Sequence, residues 1–301
     1  MALVSSTRQQ LPGSNSLAAY QCVLMGKSSA RSLIQLAFKL LSMQLLLCVA
    51  AGQAATLDDY NRVKEQAFVV MSQADSQKAI DLVISRNTVD DAMKIFMLMA
   101  RDLYWQHKNL SAALVIGRAG IQLSLIEAQR VRSTDSAQAY RLSSQAQMLA
   151  YDLSSYCWPG WREEGISIPE FLLLQGQDLA KTNLRLAQEL RKGDLPMSHA
   201  WWLVGAHHLA IGQYERARKA FVEASKFAIA AQTRETELLL KGYLYLAELM
   251  LKPNNQQLLL EFEFVLKSLN ESQEGTFFRN QLETAKSVFS EQTLAEAETK
   301  E

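Results

Sequence analysis

Four histidines, three cysteines and one tryptophan-rich turn are the groups in this 301-residue chain best suited to chemistry. His107, His199, His207 and His208 never form the His-Glu-x-x-His pattern that places two zinc ligands on one helix face. No two cysteines have metal-ligand spacing, so no metal or other cofactor is expected. The sharp Gly-x-Ser-x-Gly turn, the phosphate-cradling Gly-x-x-x-x-Gly-Lys loop and the dinucleotide Gly-x-Gly-x-x-Gly turn are all missing. Cys157 with a distant histidine would make a nucleophile pair, but nothing local supports it. A buried, inert thiol is the plainer reading. Asp58-Asp59, Asp90-Asp91 and Glu163-Glu164 read as solvated faces or helix starts.

Cys157-Trp158-Pro159-Gly160-Trp161 stands apart. Pro-Gly forces a turn, and two indoles are out of place in a solvated loop. Either Trp158 and Trp161 plug a joint between neighbouring helices, or they form the aromatic lip of a binding groove. A site beneath this loop is also where an enzyme, or an enzyme subunit, would have to keep its chemistry.

The first 54 residues have another character. They contain Arg8, Lys27, Arg31 and Lys39 and no acid. Leu40 to Ala51 is a 12-residue run, apolar apart from Ser42 and Gln44, and the small residues Gly52, Ala54 and Ala55 follow. A basic head, a short apolar run and a small-residue exit describe a cleaved secretory signal, with a start at Met25 giving the usual length. An organelle transit peptide is the alternative. Periplasmic or extracellular export is the expectation, with no stable membrane span after cleavage. Without these residues 27 bases face 31 acids, a net charge of −4 that argues against nucleic acid as a partner.

Beyond residue 54, helix formers dominate and strand signals are nearly absent. The periodicity predicts helices over 57–73, 75–86, 89–107, 110–129, 135–156, 168–192, 199–211, 214–230, 233–251, 255–269 and 276–298. Pro196 is taken to end the sixth, and Glu291 to Glu301 to be an acidic, frayed tail. In 199–228, Trp201, Val204, Gly205 and His208 share one helix face, Gly212-Gln213-Tyr214 breaks the helix, and Ala217, Phe221 and Ala224 mark a second buried face. This resembles the tetratricopeptide repeat, with Val204 and His208 in place of the usual Leu and Tyr. Residues 89–128, with Gly117 and Gly120, and 233–269, with Gly242, look like degenerate copies.

The resemblance implies an all-α fold over 55–290, an α-solenoid of antiparallel helix pairs. It also implies a non-catalytic scaffold or assembly factor that holds a protein or peptide in a concave groove. By that analogy His199, Trp202, Ala206, Leu209 and Ala210 face the groove, with Trp202 a candidate hot spot.

Overall fold

The computed structural model describes residues 56–73, 75–271 and 273–298, so the expected leader lies outside the described residues. Those residues form eleven α-helices and no strand. They are α1 (Leu57–Ser72), α2 (Ser76–Arg86), α3 (Val89–Trp105), α4 (Leu110–Val131), α5 (Ser136–Tyr156), α6 (Glu170–Glu189), α7 (Asp194–Ala210), α8 (Tyr214–Ala230), α9 (Arg234–Leu251), α10 (Gln256–Ser268) and α11 (Gln273–Glu298). Single 3-10 turns occupy Pro159–Trp161 and Leu269–Glu271.

Local sequence sets the helix starts. Thr56, Thr88, Asn109, Asp135 and Asn255 each accept the backbone N–H three residues on, which meets one of the donors a helix start leaves unpaired. The start that moves most is that of α7, which begins at Asp194, five residues early, and takes Pro196 into its first turn. A first-turn proline forfeits no helical hydrogen bond, so Pro196 belongs to the start of this helix, while α6 has already ended at Glu189.

Consecutive helices pack antiparallel. Along α4 and α5, Ser124 donates to the Leu142 carbonyl, Gly120 meets Leu149 and Gly117 meets Leu153, so one index falls as the other rises. The same opposition holds for α5 and α6 (Gln147 with Asn183, Ser154 with Gly176) and for α7 and α8 (Ser198 with Ala224, Gly205 with Phe221). Helices two apart run parallel where they touch. Asp90 of α3 meets Gln138 of α5, and Tyr104 stacks on Tyr156 at 4.1 Å. The glycines of α4 thus admit Leu149, Leu153 and Phe96, which replaces the bulk expected at those positions. α4 is long and apolar enough to cross a membrane, but part of that apolar surface is buried between α3 and α5. Gly242, expected to face its own hairpin partner, instead accommodates Leu282 of α11.

Three turns share one geometry. Lys192, Gln213 and Thr233 donate their N–H to the carbonyls of Ala187, His208 and Ala228, five residues back. The preceding residues Arg191, Gly212 and Gln232 all have positive φ. This is the Schellman ending, in which glycine is favoured because a Cβ is strained there. Only Gly212 advertised it in the sequence. Gln232→Gly should therefore stabilise the fold by about 1 kcal/mol in urea unfolding; a loss of stability would contradict the assigned turn.

α11 ends at Glu298, where the periodicity placed it, and Glu291, in the stretch expected to fray, pairs with Arg162.

Candidate functional site

The Trp158–Trp161 turn fills the space between α7, α9 and α11. Trp158 is completely buried, with Trp161 4.9 Å, Trp202 5.6 Å, Tyr243 6.0 Å and Phe289 6.1 Å from its ring, mostly edge to face. Its indole N–H donates to the Ala206 carbonyl at 3.1 Å, and that of Trp161 to the Ser155 carbonyl at 2.9 Å. Gly160 is required here, because a Cβ would enter the Trp158 ring. Arg162, held at φ +49°, reaches Glu291 through two hydrogen bonds and Ser287 through a third, which fastens α11 over the turn.

These contacts correct the expected groove surface. Trp202 is 5% exposed and Leu209 1%, so neither is an open contact residue. The distant 157–161 segment lies over Trp202. Trp158 and Trp161 are the plug and not the lip. Trp201, expected to be the buried member of the pair, is only partly covered and packs on Ala187, Met197 and Ala200. Cys157 is buried beside Gly176, and burial pushes its thiol up to about 12, so it is a protonated thiol at neutral pH.

A serine and a histidine meet in the core, which the sequence did not reveal. His207 Nε2 lies 2.9 Å from Ser154 Oγ and 3.1 Å from the Ser154 carbonyl. The Ser154 hydroxyl donates to the Gly176 carbonyl at 2.8 Å. Nδ1 is buried without a described partner, so the network is met with the proton on Nε2. That tautomer cannot accept the serine proton. Burial also holds the imidazole down at about 4 and therefore neutral. The pair ties α5, α6 and α7 together rather than activating a nucleophile.

Part of the surface of α5 and α7 beside this network is partly exposed. At 100° per residue, Gln138, Gln145 and Tyr156 form the stripe against α3, while Ser154 turns toward α6 and α7. Asp152, one heptad from Gln145, lies at the edge of the α3 stripe, and it and Met148 are partly exposed. On α7, Ser198 and Gly205 face α8, which turns His199 to the α5 side, away from α8. Of the expected contact residues, His199 and Ala210 are partly exposed.

Both groups are strongly desolvated. Burial raises the Asp152 carboxyl to about 7 against the lowering pull of Arg101, and burial lowers His199 to about 4. Asp152 was legible as the only acid of α5, yet nothing in the sequence showed its desolvation. Among the described residues no group of three or more His, Cys, Asp or Glu is arranged to hold a metal ion. No protein-family model matches the chain, and no curated protein is significantly similar to it.

Proposed function

We propose that the chain is an exported, non-catalytic scaffold of the tetratricopeptide type, an α-solenoid that holds a segment of a partner protein against the partly exposed surface of α5 and α7. The observation that carries this reading is the pair Asp152 and His199. Both reach solvent, both are desolvated, and neither has a described hydrogen-bond or ion-pair partner. Polar side chains held in that condition are characteristic of binding surfaces. The antiparallel pairs, the parallel alternate helices and the repeated Schellman endings support the solenoid. The plug narrows the expected groove, so the segment lies on the α3–α5–α7 side and away from Trp202.

A photoreactive amino acid placed at His199 tests the site. The expected product is one discrete cross-linked partner in the native compartment, absent when the same group replaces Ile126, an exposed residue of α4. Identical products from both positions would overturn the assignment. Export makes a separate prediction: N-terminal sequencing of the native protein begins near Ala55, and an intact residue 1–54 segment would contradict it.

A further inference from the structure

We infer that His207 is an acid-sensitive latch: uncharged, it holds the 157–161 plug on α7, and charged, it releases the plug and uncovers Trp202. This concerns regulation of the fold and stands apart from the scaffold reading. The imidazole is completely buried where α5, α6 and α7 meet. Its Nε2 lies 2.9 Å from Ser154 Oγ and 3.1 Å from the Ser154 carbonyl of α5. It packs so tightly on α6 that a Cβ at Gly176 would come within 2.5 Å of Cε1. The same Cβ would meet Cys157, the residue that leads into the plug. Trp158 then donates its indole N–H to the carbonyl of Ala206, the residue before His207. Plug and imidazole thus share one anchorage on α7, with Trp202 beneath the plug.

A second proton finds no acceptor in this joint. With Nε2 committed to Ser154, the proton must enter at Nδ1, which is buried and has no described hydrogen-bond partner. From α5 the ring meets the Ser154 hydroxyl, which already donates to the Gly176 carbonyl of α6. From the turn it meets the Cys157 thiol, which stays neutral. Along α7, a charge on His208 would repel it, and Lys181 of α6 and Arg216 of α8 lie beyond, beside His208. Among the described residues no carboxylate acts on His207. A buried imidazolium without an acceptor is costly, so it forms where the joint has opened and Nδ1 reaches water.

Burial holds His207 at about 4, below its ordinary 6.5. Between those values the open joint binds a proton that the closed joint refuses. Opening therefore becomes more favourable as pH falls below about 6.5, by up to about tenfold per pH unit, and the closed joint is secure above that range.

The test labels Cys157 with an aromatic disulfide in the full chain carrying Cys22→Ser and Cys48→Ser. Rates at about pH 7.5 and about pH 5 are each divided by the rate of the urea-unfolded chain at the same pH, and protection should fall by about tenfold or more at the lower pH. Helical circular dichroism should not change, and the urea dependence of labelling at the lower pH should be weaker than that of global unfolding. His207→Gln, which keeps a donor but cannot titrate, should abolish the pH effect, and His199→Gln should retain it. If His207→Gln does not fold, NMR of the wild-type histidine rings decides, because the charged His207 signal should appear with the same pH midpoint as labelling. Unchanged protection at about pH 5, an equal pH effect in His207→Gln, or loss of the effect in His199→Gln would each overturn the inference. So would labelling that appears only with loss of helix, or a His207 ring that takes its proton while Cys157 stays protected.

Discussion

Trp158→Ala is expected to lower the stability of the chain by about 3–5 kcal/mol, the range for truncating a large buried aromatic. The indole is completely buried, and its ring is the hub against which Trp161, Trp202, Tyr243 and Phe289 pack. Removing it opens a cavity among rings that cannot all collapse inward, and it leaves the Ala206 carbonyl without its donor. Because those rings belong to α7, α9 and α11, the loss should appear as one cooperative shift in urea unfolding. Phe171→Ala, at a largely exposed position of α6, should change stability by no more than about 0.5 kcal/mol. A similarly small effect at Trp158 would mean that the turn does not seal the joint.

Gly205→Leu tests a different contact, the α7–α8 hairpin. A Cβ at Gly205 would lie 2.6 Å from Phe221 Cε1, and Phe221 is itself fully buried. The ring cannot yield toward α9, because it stacks on Tyr243 at 5.3 Å. Overpacking of this kind costs about 1–3 kcal/mol, and a leucine adds three carbons beyond the Cβ that already clashes. Gly193→Ser is the matched control. No atom lies within 4 Å of a Cβ there, and a serine at that N-cap position should be neutral or slightly stabilising. Equal melting temperatures for Gly205→Leu and wild type would remove the hairpin assignment.

Local features made most of the fold legible. The Asn, Asp and Thr caps, the apolar stripes and the small residues at 117, 120, 205 and 217 encode helix ends and close approaches within neighbouring segments. Arg191 and Gln232 end helices just as Gly212 does, yet carry side chains that hide the turn from the sequence. The candidate site was legible only in part. His199 is partly exposed, and its helix face follows from the repeat pattern. Trp202 and Leu209 were misplaced because their covering comes from the 157–161 turn and other distant segments, and no local period reports that burial. Asp152 was passed over for a related reason. Its desolvation, and the pull of Arg101 that opposes it, come from other helices.

The claim on which this account rests is that the segment after α5 is, at neutral pH, a buried plug, with Cys157 packed beside Gly176 of α6 and Trp158 sealed between α7, α9 and α11. Thiol labelling of Cys157 with an aromatic disulfide, in a chain whose Cys22 and Cys48 are serine, tests it most directly. The buried thiol, held up to about 12, should resist labelling until the protein unfolds globally, with urea dependence equal to that of unfolding. Prompt stoichiometric labelling in the folded state, at the rate of a free thiol, would contradict the account.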